Sequence, residues 1–172
     1  MSSTETPLAY FITWTVYGTF LHGDARWWRK KGQGEQRPQP LLEQWHRDRL
    51  KHDIVLLNDH QREIVNAEIV RHCLHRHWQL WTANPRTNHV HVVITAKDVT
   101  GKMVRDQLKA NCTRGIREQY KLFVDRPVWT VGGDWQCINS DDDLEQAVLY
   151  ASEAQERKGA LESLFNSAVD RQ

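Results

Sequence analysis

Residues 88–95 read Asn-His-Val-His-Val-Val-Ile-Thr, and the two imidazoles one residue apart are the part of the chain best equipped for chemistry. On a strand successive side chains point to opposite faces, so His89 and His91 share one face while Val90 and Val92 share the other. Their Cα atoms then stand roughly 6.5 Å apart, within reach of one ion, which is half a metal site. The same spacing suits two outward polar residues on a half-exposed strand, and the dipeptide pattern alone does not separate the two readings. A second crowd, His72, Cys73, His75 and His77, makes no zinc centre: on a helix His72 and His75 meet at i, i+3, while Cys73 and His77 fall on a different face.

Composition bounds what such a pair can belong to. The 172 residues are one domain's worth, 1–172, and the 40% hydrophobic and 26% charged fractions are those of a globular protein. Lys+Arg 23 against Asp+Glu 22 leaves a formal net charge of +1, so any nucleic-acid binding must come from local positive charge. No apolar run is long enough to span a bilayer, and Met1 to Pro7 lacks a basic and apolar signal region, so no membrane and a cytoplasmic location are expected. Three scattered cysteines, Cys73, Cys112 and Cys137, argue against a disulfide framework and against CxxC motifs. The unusual counts are Trp 8 and His 9.

The elements that would position the histidines follow from periodicity. Tyr10 to Val16 predicts a first strand. Residues 18–40, with Gly18, Gly23, Gly32, Gly34, Pro38 and Pro40 around the run Arg26-Trp-Trp-Arg-Lys-Lys31, predict a long basic and aromatic loop. Leu41 to Lys51 predicts a short helix, and Asp59 to His77 a longer one capped by Asn58 or Asp59, with Val65, Ile69 and Cys73 on its core stripe. Trp78 to Ala83 and His89 to Thr95 form a hairpin around Asn84-Pro-Arg-Thr-Asn88. Thr100-Gly101 opens a helix to about Tyr120, burying Val104, Leu108, Cys112 and Ile116, with Lys102, Arg105 and Lys109 on another face. Val128 to Ile138 reads as a strand or strand pair broken at Gly132-Gly133. Asp141 to about Lys158 reads as a helix with Gly159 at C′, followed by an amphipathic tail at 160–172. The expected fold is α+β, a ferredoxin-like split βαβ with a central antiparallel sheet carrying the His-x-His strand, and flanking helices.

These segments resemble a known family. The His-hydrophobic-His strand, the helix before it and a tyrosine-bearing helix about 60 residues later are similar to the HUH superfamily of single-tyrosine DNA transposases, and within it to the repeat-associated tyrosine transposases. Phe11-Ile-Thr-Trp-Thr-Val-Tyr-Gly-Thr-Phe20 resembles the family's N-terminal strand and Gly-Thr-Trp motif, with Phe20 in place of Trp. His89-Val90-His91 matches the HUH motif, and Leu108-Lys109 with Thr113-Arg114 resembles the basic helix. Trp129 precedes Tyr150 by 21 residues, and Gly159 follows it by nine, similar to the family's spacing.

The resemblance implies a metal-dependent endonuclease and strand transferase for single-stranded DNA, acting near hairpins or imperfect palindromes through a 5′-phosphotyrosine intermediate. Tyr150 would be the nucleophile. His89 and His91 would hold Mg²⁺ or Mn²⁺, whose Lewis acidity offsets the poor nucleophilicity of a phenol with an ordinary pKa of about 10. Many members take a third ligand about one turn after the tyrosine. Here the stretch is Tyr150-Ala-Ser-Glu-Ala-Gln155, so the position four on is Ala154, and Gln155, with Glu153 as alternative, supplies the ligand if the helix is locally irregular.

For the strand itself, the resemblance puts Lys109 and Arg114 on phosphates and Gly18, Thr19 and Phe20 near bases beside a hairpin. Arg105 and Arg117 are further expected phosphate contacts, and Arg26, Trp27, Trp28, Arg29, Lys30 and Lys31 combine stacking surface with charge. Family members work as monomers or as homodimers. A competing reading is a domesticated single-stranded DNA or hairpin binding protein with weak or no cleavage. A third is an unrelated α+β metalloenzyme acting on small molecules.

Overall fold

In a computed structural model of the chain, the structure describes residues 6–26, 28–30 and 32–154. Its centre is a sheet of β1 (Ala9–Thr15), β4 (Gln79–Pro85), β5 (His89–Thr95) and β6 (Asp134–Ile138), all antiparallel and ordered β4-β5-β1-β6. Strand, helix, strand, strand, helix, strand in this order is the split βαβ arrangement. The α+β class with flanking helices agrees with the expectation.

Alternation in β1 decides what each face becomes. Tyr10, Ile12, Trp14 and Val16 are buried on one side, together with Val90, Val92 and Ile94 of β5. Two helices cover this side: α2 (Asp59–Arg76) through Ile64, Val65, Ile69 and Cys73, and α3 (Gly101–Gln119) through Val104, Leu108, Cys112 and Ile116. Helix α2 starts in a capping box, in which Gln61 N donates to Asn58 Oδ1 and Asn58 N donates to Gln61 Oε1. At its other end His77 takes the left-handed conformation, φ 56°, and the chain turns back into the sheet. The predicted core stripes of both helices are correct.

The opposite side carries a smaller cluster, Ala9, Val93, Ile138, Leu144 and Ala151, formed with α4 (Asp141–Leu149). Ser140 caps α4, accepting from Asp143 N at 3.2 Å.

Four expected boundaries change. Residues 18–40 are not one loop: they hold a small ribbon of β2 (Trp28–Lys30) and β3 (Gly34–Gln36) and run into α1 (Pro40–Arg47), whose first turn starts on proline. Between Val128 and Ile138 only β6 is a strand, while Trp129 makes a single bridge to Val16. Gly133, at φ 127°, is pressed against β1, and a Cβ there would meet Thr13 O at 2.8 Å. The helix from Asp141 does not run on as α-helix to Lys158: it ends at Leu149 and passes into a π-turn, Tyr150–Ala154. Gly159 and the tail 160–172 lie outside the described residues. Finally, β4 starts at Gln79 and runs past the expected Ala83 to Pro85, taking Asn84 and Pro85 out of the turn, and it carries a bulge between Leu80 and Thr82, which lets Leu80 and Ala83 both reach the helix side.

Among the described residues no helix is long and apolar enough to cross a membrane. Cys73 and Cys112 are buried and unpaired, and burial pushes the Cys73 thiol up to about 11 and the Cys112 thiol up as well. Neutral thiols in apolar packing are core residues.

Candidate active site

The pairing register of β1 and β5 sets Thr13 opposite His91 and Thr15 opposite His89. Phe11, Thr13 and Thr15 therefore share the face of the two histidines, away from α2 and α3. The imidazole centroids stand 4.5 Å apart, with planes at 69°. Each ring is held through Nδ1: His89 by Asn88 Oδ1 at 2.6 Å, His91 by Thr13 Oγ1 at 2.8 Å. An imidazole that donates from Nδ1, as His89 does to the Asn88 carbonyl oxygen, presents Nε2 as its metal-binding nitrogen, while the Thr13 hydroxyl fixes the direction of the His91 ring. Phe11 stacks on His91 at 5.4 Å and 26°. His91 is only 4% exposed, so it is not one of the outward polar residues allowed by the spacing alone.

Tyr150 reaches the same face from the end of α4. Its ring packs edge-on against His91, with centroids 5.7 Å apart, and against Phe11, at 5.9 Å. It is 38% exposed, so one side of the ring is open. Tyr150 is the first residue of the π-turn, and Asn84 Nδ2 donates to Ala151 O at 2.7 Å, joining that turn to β4. Asn84 lies opposite His91 in the sheet because the β4 bulge has shifted the strand's parity. The other described tyrosines are committed elsewhere: Tyr10 Oη donates to Val99 O, Tyr17 Oη accepts from Lys51 N, and Tyr120 Oη pairs with His60 Nδ1.

A divalent ion fits the donor chemistry of the His89 and His91 pair, two imidazoles with second partners on Nδ1. Among the described residues no group of three His, Cys, Asp or Glu side chains could hold a metal ion. Gln155 lies outside the described residues, and only the backbone of Glu153 is described. The helix does become irregular here, as a π-turn over Tyr150–Ala154.

The expected phosphate contacts on α3 behave differently. This helix covers the face opposite the histidines, and its cations are bound to the protein itself. Arg105 is buried and donates from Nη1 to Gly133 O at 2.7 Å, with Asp106 beside its Nη2. Lys109 Nζ donates to Thr130 O at 2.7 Å and Gly132 O at 2.6 Å, and burial, followed by the Arg105 charge, lowers its ammonium to about 8. Both residues fasten the segment entering β6. Arg114 bonds to Asn111 Oδ1 and faces Glu68 and Glu118. These contacts answer the charge that a helical wheel shows as available.

Thr19 and Phe20 do join the site region. A polar cavity of about 180 Å³ is lined by Thr13, Thr15, Thr19, Asn88, His89 and His91, with Arg26 completing it. A second, of about 450 Å³, shares Thr13 and Thr15 with it and adds Phe20, His22 and Val131. Thr19 Oγ1 donates to Val16 O and Asn88 O, and Gly18, at φ 77°, lets the chain turn tightly there. Trp27 lies outside the described residues, and Trp28 and Arg29 are described only as backbone in β2. A further hollow of about 850 Å³, beside Lys51, His52 and Arg126, includes neither His89 nor His91.

Arg26 belongs to the basic and aromatic run expected to meet the strand, whereas Phe11, Thr13, Thr15, Asn84 and Asn88 are site residues that the sequence did not single out. Phe11, Thr13 and Thr15 were findable, since they alternate with the apolar residues of β1. Asn84 was not, because its face depends on a bulge.

No protein-family model matches the chain, and no curated protein does. Among solved structures it is similar to one described as the REP-associated tyrosine transposase bound to a REP hairpin, with 12% identity and a TM-score of 0.48. The match covers 83% of this chain and 63% of that one, so the chain spans less than two thirds of its length.

Proposed function

We propose that the chain cuts single-stranded DNA beside hairpins and transfers the cut strand, using Tyr150 as nucleophile and His89 and His91 as metal ligands. The observation that supports this is the convergence of the three side chains in ring contact on one face of the sheet, Tyr150 being delivered by a different element from the histidines. The hairpin context is the one the sequence resemblance implies.

In this reading the Tyr150 oxygen bonds to phosphorus as its proton passes to solvent, and the P–O3′ bond breaks with its electron pair going to the 3′ oxygen, which takes up a proton from solvent. The product is a 5′-phosphotyrosine link and a 3′-hydroxyl, which can reverse the reaction on the same or another strand without an external energy source. A divalent ion, Mg²⁺ or Mn²⁺, held by His89 and His91 with Gln155 or Glu153, supplies charge neutralisation at the phosphate when bound. Asn88 Oδ1 keeps His89 as the Nδ1–H tautomer, and Thr13 Oγ1 keeps the His91 ring aimed. Phe11 sets the angle between His91 and Tyr150, and Asn84 holds the turn that starts at the nucleophile.

The test is a hairpin oligonucleotide with a labelled single-stranded flank, incubated with the protein and Mn²⁺ and run on a denaturing gel. A covalent adduct is expected, lost in EDTA and lost in Tyr150→Phe while binding is retained. An adduct that survives Tyr150→Phe overturns the assignment, and binding without any adduct returns the domesticated DNA-binding reading.

A further inference from the structure

The histidine cavity has one cationic wall, and it comes from the loop after β1. Arg26 lines that cavity beside His89 and His91. Its guanidinium is fixed by Asp24, with Nε donating to Oδ1 at 2.7 Å and Nη2 to Oδ2 at 2.6 Å, and by Thr19 O, which accepts from Nη2 at 2.7 Å. The Phe20 ring lies 5.3 Å from the guanidinium carbon. Asp24 is 6% exposed, yet its partner's side chain is 56% exposed. A nearly buried carboxylate thus holds a half-open arginine in one orientation.

A guanidinium has five N–H donors. Three of them, on Nε and Nη2, go to Asp24 and Thr19. The two on Nη1 have no partner among the described residues. Planar, always charged and already oriented, such a group suits a phosphate oxygen, and pre-orientation removes the ordering cost of a free side chain on binding. Asp24 offsets the charge, so what Arg26 offers is directed hydrogen bonding more than attraction at a distance.

We infer that Arg26 binds the phosphate that Tyr150 attacks, and that Asp24 is the positioning residue that aims it; the inference rests on the nuclease reading of the His89, His91 and Tyr150 site. Arg26 moves no proton. It takes a non-bridging oxygen of the phosphate and keeps hold of it as charge builds up during attack.

The experiment is a methylphosphonate walk. In the Tyr150→Phe chain, which keeps the strand intact, each phosphate of the single-stranded flank is replaced in turn by a neutral methylphosphonate and binding is measured. One position is expected to weaken binding about tenfold, and the same position to matter less than about twofold once Arg26→Ala is added. That position should be the cleavage phosphate mapped with the unsubstituted chain. Uniform weakening at all positions by Arg26→Ala, or none, overturns the inference, as does a chain that binds no single strand. Arg26→Lys, with charge but no fork, serves as the second variant if Arg26→Ala does not fold, and the same position is expected to lose most of its sensitivity. Asp24→Asn should slow adduct formation as much as Arg26→Ala, with the double variant no slower, and additive losses overturn the role of Asp24. If the unsubstituted chain forms no adduct but the position-specific effect of Arg26 remains, the nuclease reading fails while the phosphate contact stands.

Discussion

The two faces of the central sheet are built from the same strands and share almost nothing else. On the helix side, Ile12, Trp14, Val90 and Val92 are fully buried beneath α2 and α3. One residue along each strand, on the other side, Thr13, Thr15, His89 and His91 surround a polar cavity. The dry face provides the rigidity that the polar face uses: a hydroxyl holding an imidazole aims it only as well as the backbone beneath holds still. Apolar burial and ligand geometry are therefore divided between odd and even positions.

Breaking this division gives the largest effect at Tyr150. Tyr150→Phe should remove all covalent adduct while changing unfolding free energy by less than about 1 kcal/mol, measured by urea titration, because a half-open hydroxyl is lost and no packing. Next comes Trp14→Ala on the dry face, expected to cost about 3–5 kcal/mol in the same titration, as a fully buried indole leaves a cavity. A third substitution isolates the aiming role. Thr13→Val keeps the shape and removes the bond to His91 Nδ1, so the Mn²⁺ concentration for half-maximal adduct should rise about 10- to 100-fold with little change in stability.

The smallest effect is at Asp24, whose carboxyl is held below its usual range by the Arg26 hydrogen bond. A lowered folded-state pKa gives stability that is present above the unfolded value of about 4 and is lost as pH falls through the folded one. The stability difference between the unsubstituted chain and Asp24→Asn should therefore shrink in thermal melts taken from pH 6 downward, and a difference growing toward acid would contradict the pairing.

What was legible in the sequence was periodic. The stripe of Val104, Leu108, Cys112 and Ile116 and the shared face of His89 and His91 follow from 3.6- and 2-residue repeats, and Asn58 was one of two candidate caps by residue type. What was hidden depends on breaks in those repeats or on distant backbone. The Trp81 bulge reverses the parity of β4 and puts Asn84 opposite His91. The π-turn interrupts a segment that holds no Gly or Pro to announce it. Arg105 and Lys109 show as a cationic stripe in one dimension, but the carbonyls of Thr130, Gly132 and Gly133 that absorb them are reached only through the fold.

The register of Thr13 on His91 and Thr15 on His89 has a consequence for how this chain can change over generations. Substitution can alter one lining group at a time, but a single-codon insertion or deletion inside β1 would exchange all its neighbours at once, turning Trp14 toward the histidines and Thr13 toward the helices. Such length changes fall where parity is not kept, in the turns and in the ribbon between β1 and α1. The strands of this site can therefore be edited only letter by letter, while the loop that carries Arg26 can also be lengthened or shortened.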